Sequence, residues 1–344
     1  MKNQVKIIEL FSGIGGFSKG LADAGFNIIE HYFAEIDKHA IANYKYNFPN
    51  AKHIGSVTDI SGRDFSGIDI ITFGSPCQDF SLAGKREGMD GQRSVLILEA
   101  IRLVTELRPS VFIWENVKGA FSSNSGADFW GILQAFANIG GYRLEWQLLN
   151  TKWFLPQNRE RIYLVGHLAG SERSFGNVFP IGEESELYNK KEQKSSSKNS
   201  QESVAKCLNA NDEKSWVGNF IETPKIAGCL TGGGNSGGNH SDMTLICDSG
   251  KSRQLEERSI MPPLRANTGA GHGNYIKNQN PHVNNIRRLT EIECERLQGF
   301  PDDWTKYGNY DGTIKEIPKT QRYKMLGNAV TVKVVEEIGK RLLQ

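Results

Sequence analysis

Cysteine is scarce in this 344-residue chain: five residues, at positions 77, 207, 229, 247 and 294, none of them in a C-x-x-C pair. An odd, scattered set argues against a disulfide framework or a zinc knuckle and fits a reducing compartment, so no metal site is expected. No apolar run is long enough to cross a bilayer. The opening MKNQVKIIEL has charge inside its first apolar run and no small-residue cleavage site, so no signal peptide is expected. Together these features predict a cytoplasmic protein with no membrane partner. Net charge is also small, +2 from 41 Lys and Arg against 39 Asp and Glu. A chain so balanced is not a general polyanion binder, and any contact with nucleic acid has to come from local basic clusters.

What is present is a regular alternation. VKIIEL (5–10), the apolar run ending near Glu35, GIDIITFG (67–74), SVFIWENV (110–117), RLEWQLLN and RIYLVGHL read as strands. Between them, the stretch ending in ADAG, KHAIANYKYNF, RSVLILEAIRLVTEL (93–107) and ADFWGILQAFANIG read as helices. This rhythm predicts an α/β fold with a mostly parallel sheet covered on both faces, and chemistry at the carboxyl ends of its strands. After about residue 170 the character changes. Residues 183–203 are polar, charged and Ser-rich and read as a mobile linker or surface excursion. Three loosely similar Gly/Asn-rich lines follow, read as strand–loop–strand units: either a decorated β insertion or a loop surface that reads a partner. From 286 the pattern is helical again, with Thr290 as a cap and Glu293 three residues on. The last helix, in NAVTVKVVEEIGKRLLQ, is expected to pack back on the first domain.

Several residues carry possible chemistry. In ITFGSPCQDFS (71–81) a strand stops at Gly74 and a cysteine, Cys77, follows behind Pro76. A lone cysteine is ordinarily a buried small hydrophobe. In ELFSGIGGFSKGL (9–21), Gly13, Gly15 and Gly16 stand between a strand and a helix, where glycine lets a ligand approach the backbone. The full G-x-G-x-x-G spacing is missing. Glu35 follows the second strand, where a carboxylate can accept ribose hydroxyls; with the glycines it points to an adenosine bearing something smaller than a dinucleotide. Glu115 ends the strand SVFIWEN and is either an ordinary rim residue or, sharing a sheet edge with Cys77, a proton donor matched to thiolate attack at another ring atom. Arg159 and Arg161 in LPQNRERIYLVG are either a solvated edge or fork-shaped donors to a carbonyl and a phosphate. The glycines and basic residues of 78–94 suit a lid over a polyanion, or a plain loop.

FSGIGGF, GSPCQDFS, ENV, QNRERIYLVG, RRLTEIECERLQGFPDDW and GNAV occur in an order and spacing that resembles the cytosine-C5 DNA methyltransferases of bacteria and phages. The resemblance covers roughly 1–168 and 286–344, and 170–285 matches in position and size only. It implies a Rossmann-like sheet of the S-adenosylmethionine-dependent methyltransferase type with a smaller, largely β and loop target-recognition domain. The implied organisation is a catalytic and cofactor-binding domain at 1–170, a recognition region at 171–286, and a segment at 287–344 that returns to complete the catalytic domain. The implied reaction is transfer of a methyl group from S-adenosyl-L-methionine to C5 of a flipped-out cytosine through a Cys77 adduct. Glu115 would engage N3 and the exocyclic amine, Arg161 the base carbonyl, and Arg159 would support the site and the phosphate. Phe11, Gly13, Ile14, Gly15 and Gly16, with Glu35, Ile36, Pro76, Leu96, Asn328 and Ala329, would form the cofactor pocket. One departure stands out: GSVTDI has Ser56 where the family usually carries an acid that contacts adenine, which leaves Ser56 and Val57, or Asp59, for that place.

For DNA the implied contacts are Gln78, Ser81, Lys85, Arg86 and Arg93 after the cysteine, and Arg253, Arg258, Arg265, Arg287 and Arg288 in or beside the recognition region. The expected partners are double-stranded DNA and a restriction endonuclease that acts on the same site without a stable complex. The expected state is a monomer. Two other readings stay open: an RNA (tRNA) cytosine-5 methyltransferase, and a catalytically silent DNA-binding regulator.

Overall fold

The computed structural model describes residues 3–74, 95–122, 127–171, 173, 175–182, 245–248, 255–258, 274–277 and 286–344. In chain order its elements begin β1 (Gln4–Leu10), α1 (Gly16–Asp23), β2 (Asn27–Ala34), α2 (Lys38–Asn47), β3 (Lys52–His53), β4 (Ile70–Gly74), α3 (Val95–Leu107) and β5 (Val111–Val117). They continue with α4 (Gly119–Ser122), α5 (Ala127–Asn138), β6 (Tyr142–Asn150), β7 (Glu160–Leu168), β8 (Leu245–Asp248), β9 (Leu255–Arg258), β10 (Asn274–Lys277) and β11 (Ile286–Arg288). The last are α6 (Glu291–Gln298), β12 (Tyr307–Tyr310), β13 (Thr313–Glu316), α7 (Lys319–Asn328) and α8 (Val332–Leu343).

Seven strands form one sheet in the order β3-β2-β1-β4-β5-β7-β6. The first five are mutually parallel, and β7 runs antiparallel to both β5 and β6. The chain winds outward from β1 in one direction and, beginning at β4, in the other. A crevice at the carboxyl ends of β1 and β4 is the expected binding place in such a sheet.

Strand alternation explains the two layers. One face carries Ile8, Leu10, Ile71, Phe73, Phe112, Trp114, Ile162 and Leu164, packed under α3 and α5. The other carries Val5, Ile7, Ile70, Val111, Ile113, Tyr163 and Val165 under α1 and α8. Toward the carboxyl ends this second face turns polar: Glu9, Thr72, Glu115 and Arg161 continue the same alternation. Gly20 lets α8 lie close on α1, since a Cβ there would meet Val335 Cβ at 2.6 Å. The expected return of the last helix is therefore seen, although the helix starts only at Val332. A third cluster joins Ile14 to Leu297, Phe300, Met325 and Leu326.

After β7, the stretch 175–182 runs alongside β6 without joining the sheet. Glu145 accepts from Val178 N at 2.9 Å and from Phe179 N at 3.2 Å. Gln147 exchanges two 2.8 Å hydrogen bonds with Ile181, and Gly182 ends beside Trp153. The rejoining chain is fixed as well: Leu289 is buried, and its carbonyl accepts from Tyr323 Oη at 2.6 Å. Between these points the structure describes a second sheet of order β11-β10-β8-β9, wholly antiparallel. The capping box predicted at Thr290 and Glu293 is present. The first of the three Gly/Asn-rich lines and the 183–203 segment lie outside the described residues. The two-residue β3 and the β12–β13 hairpin had no counterpart in the sequence reading.

Candidate active site

The three glycines of the loop after β1 stand in different surroundings. Gly13 has φ +52° and open space where a side chain would stand. Gly15 and Gly16 are closely packed: a Cβ would collide with the Phe48 ring in the first case and meet Val330 at 2.6 Å in the second. Ile14 is buried in the third cluster, and its carbonyl accepts from Trp304 Nε1 at 3.0 Å. Phe11, a non-glycine residue, is held at φ +52°, a conformation that costs free energy and is fixed by the loop around it.

Glu35 organises the opposite wall. Its Oε2 accepts from Gly13 N at 2.8 Å, and Oε1 accepts from Ile36 N at 2.8 Å and Asp37 N at 2.9 Å. A carboxylate has about four acceptor positions, so with three of them engaged the group is locked in place and one is left for a ligand hydroxyl. Beside it Ile36 is 79% exposed, an apolar surface suited to a flat ring. Glu35 N donates to Gly55 O at 3.2 Å, which brings the 55–57 turn alongside. There Ser56 Oγ pairs with Thr58 Oγ1 at 2.9 Å, Val57 is buried and Asp59 is exposed. Leu96 is half-buried in the first turn of α3, Asn328 is exposed and Ala329 is buried.

These residues fit an adenosine-bearing cofactor without phosphates. The open Gly13, the locked Glu35 and the exposed Ile36 form one cradle, and Ser12 Oγ is buried nearby without a partner. A pyrophosphate would need the free amides at the start of α1. Those of Phe17 and Ser18 are already bonded to the buried carboxylate of Glu9.

The second half of the site sits at the ends of β4 and β5. Gly74 pairs with Glu115, and a side chain at position 74 would meet Glu115 Oε2 at 3.2 Å, so glycine there leaves room for the carboxylate. Because β7 is antiparallel, its first residues lie at the last residues of β5; Val117 pairs with Arg161. Arg161 Nε stands 3.0 Å from Glu115 Oε1. The ion pair lacks hydrogen-bond alignment, so that buried oxygen keeps its acceptor position open. Arg159 takes a different place. It is 3% exposed and donates through Nη2 to Ala329 O at 2.8 Å and through Nη1 to Gly327 O at 3.4 Å. Burial, with the Arg161 charge adding to it, lowers its pKa to about 9. Arg159 therefore ties the start of β7 to the loop that carries Asn328 and Ala329, and its two terminal nitrogens are engaged there.

Pro76, Cys77, Gln78, Ser81, Lys85, Arg86, Arg93, Arg253 and Arg265 lie outside the described residues. Arg258 stands on edge strand β9, while Arg287 and Arg288 stand on the opposite edge strand β11. Among the described residues no three His, Cys, Asp or Glu side chains cluster as a metal site would require, and no helix is long and apolar enough to cross a membrane. Two participants escaped the sequence reading. Glu9 was visible only as one acid in an apolar strand, and the carbonyl partners of Arg159 come from 168 and 170 residues away.

Comparison with known proteins gives a coherent result. The model of the C-5 cytosine-specific DNA methylase family matches residues 5–344. The Type II methyltransferase M.Bsp6I of Bacillus sp. (strain RFL6) is 31% identical over 342 residues, covering 98% of each chain. The Type II methyltransferase M.NgoBI of Neisseria gonorrhoeae is 34% identical over 340 residues, covering 97% of this chain and 92% of that one. Among solved structures, the Entamoeba histolytica methyltransferase EhMeth superposes with a TM-score of 0.64 at 18% identity, covering 98% of each chain. The S. pombe Dnmt2 methyltransferase gives 0.60 at 19% identity, covering 99% of this chain and 98% of that one. At these identities the structural likeness bears on the fold alone.

Proposed function

Because this chain belongs to the C-5 cytosine-specific DNA methylase family, we propose that Cys77, Glu115, Arg159 and Arg161 form its active site. The chain is a sequence-specific DNA (cytosine-5) methyltransferase that uses S-adenosyl-L-methionine. Cytosine C5 is a poor nucleophile. In this reading the Cys77 thiolate adds to C6 and moves electron density toward C5. Glu115 holds N3 and the exocyclic amine and keeps a proton at N3 while the ring is an enamine. Bound S-adenosyl-L-methionine supplies an electrophilic methyl group. A base then takes the C5 proton and the thiolate leaves.

The observation that supports these roles is the Glu115–Arg161 pair. A buried carboxylate oxygen with an open acceptor position, beside a guanidinium, matches the amine and carbonyl edges of a cytosine. A stacked base cannot reach such a site, so the target is extruded at a cost of a few kcal/mol. Arg159 is a positioning residue in this scheme: it joins the strand of Arg161 to the 327–329 loop.

For the cofactor we assign Gly13, Glu35 and Ile36 to the adenosine side, with Phe11, Ser56, Val57, Pro76, Leu96, Asn328 and Ala329 around it; Ile14, Gly15 and Gly16 shape the loop. Glu35→Ala is expected to weaken cofactor binding about ten- to a hundredfold, the range for lost hydrogen bonds to a charged group. Calorimetric titration reads this, and kcat at saturating cofactor should change far less.

The finer organisation follows the same reading. Residues 1–170 and 287–344 form the catalytic body, and 171–286 reads the DNA. Gln78, Ser81, Lys85, Arg86, Arg93, Arg253, Arg258, Arg265, Arg287 and Arg288 contact double-stranded DNA. The protein acts as a cytoplasmic monomer and shares its site with a restriction endonuclease without forming a stable complex. The decisive test is bisulfite sequencing of DNA from cells that express the chain. Protected cytosines should fall in one short sequence context; no protection above that of a Cys77→Ala control would overturn the assignment.

A further inference from the structure

The last carbonyls of a helix need partners from outside its own ladder. At the end of α7 two of these partners are side chains from distant segments. Gly327 O accepts from Arg159 Nη1 at 3.4 Å, at the approach to β7. Leu326 O accepts at 2.8 Å from Nε2 of Gln298, the last residue of α6. Gln298 is fully buried, and its other end is engaged too: Oε1 accepts from Thr331 Oγ1 at 3.2 Å. One carboxamide therefore grips both ends of the 326–331 loop.

The direction of these bonds is fixed. A carbonyl only accepts, so the amide nitrogen faces Leu326 and the amide oxygen faces Thr331. Thr331 uses its one hydroxyl hydrogen on Gln298, so in its 2.9 Å contact with Thr151 Oγ1 the donor is Thr151. The relay runs from Thr151 through Thr331 and Gln298 to Leu326 O, and all three side chains belong to buried residues. Thr151 N also donates to Arg159 O at 2.9 Å, so the relay starts in the turn that carries Arg159. Thr331 is moreover the residue before the first turn of α8. A threonine there ordinarily accepts from the first amides of its helix. Here the hydroxyl makes no such bond and serves the loop instead.

The loop so held lies between the two halves of the site. A Cβ on Gly16, in the loop after β1, would meet Val330 Cγ2 at 2.6 Å and Val330 O at 3.1 Å. A Cβ on Gly74, at the end of β4, would lie 3.8 Å from Val330 Cγ1. Ala329 O is the acceptor of Arg159 Nη2. We infer that Gln298 and Thr331 are positioning residues for the cofactor: their clasp fixes the 327–330 loop and thereby the seat of S-adenosyl-L-methionine between the β1 loop and the ends of β4 and β7. This inference rests on the assignment of Asn328 and Ala329 to the cofactor pocket. Both residues act through the loop, and α6, which follows directly on β11, supplies the hand of the clasp.

The test uses Thr331→Val, which keeps the branched shape and removes the hydroxyl, so that Gln298 Oε1 loses its buried donor. Calorimetric titration with S-adenosyl-L-methionine, at a temperature where circular dichroism shows the protein folded, should give an affinity about five- to twentyfold below that of wild type. The KM for the cofactor should rise in step, while the KM for duplex DNA stays near the wild-type value. Gln298→Met should repeat this pattern, and Thr331→Ser, which keeps the hydroxyl, should restore wild-type affinity. A purely structural role would lower the thermal midpoint and the active fraction but leave the cofactor affinity of the folded protein unchanged. That result, failure of both Thr331→Val and Gln298→Met to fold, or an equal loss in Thr331→Ser overturns the inference. Glu35→Ala is the control: if it weakens the cofactor and Thr331→Val does not, the pocket stands and the clasp falls. If neither weakens it, the cofactor assignment falls as well.

Discussion

Replacing Cys77 with alanine is expected to reduce methyl transfer by at least about 10⁴-fold, the scale seen when a covalent nucleophile is removed. DNA binding should remain within a few-fold, since the sulfur contributes one small contact to an interface dominated by phosphates. The reason for so large an effect is chemical. Without addition at C6, C5 has no route to nucleophilic character, and no neighbouring group can substitute for the bond. Labelled-methyl incorporation into duplex DNA gives the rate, and a gel-shift titration gives the affinity. Duplex DNA carrying 5-fluorocytosine at the target should trap wild type covalently and leave Cys77→Ala free. Substantial turnover by the alanine variant would remove the nucleophile assignment.

Glu115→Gln is expected to lower kcat by about 10²- to 10³-fold, in the range of general acid–base contributions. The substitution keeps the size of the side chain and removes its charge. It also breaks the ion pair with Arg161 at 3.0 Å, leaving a guanidinium without its carboxylate in a confined place. Both effects act at the base pocket, so affinity for S-adenosyl-L-methionine should change by less than a factor of about three. Single-turnover kinetics separates the two quantities. A near-normal rate would move the proton-handling role elsewhere.

Much of the sheet could be read from the sequence because its central strands β4, β5 and β7 are buried on both faces. Runs such as IITF and VFIW admit few other placements, and the helices between them carry clear apolar stripes. β3 and the β12–β13 hairpin could not be read, because they lack an apolar run and are held by strand pairing and, for β12, by contacts with α2 from far along the chain. The antiparallel setting of β7 was also hidden: strand direction is fixed by what pairs with what, not by local composition. In the site, Glu35 and Glu115 were legible as acids at strand ends. The division of labour among Gly13, Gly15 and Gly16 was not, since it depends on Phe48 and Val330, far away along the chain. Arg159 and Arg161 look equivalent in QNRER, yet one meets backbone carbonyls and the other a carboxylate.

The stretch between Gly182 and Leu289 hangs from two fixed hooks, the Glu145 and Gln147 rungs at one end and the Tyr323 bond at the other. A tether held at both ends pays for extra length only through loop closure, and a doubling adds about 0.6 kcal/mol. The catalytic sheet is therefore indifferent to the size of what it carries there. On the proposed assignment of that cassette to DNA reading, its exchange would re-address one scaffold to new words in DNA while the chemistry stays still.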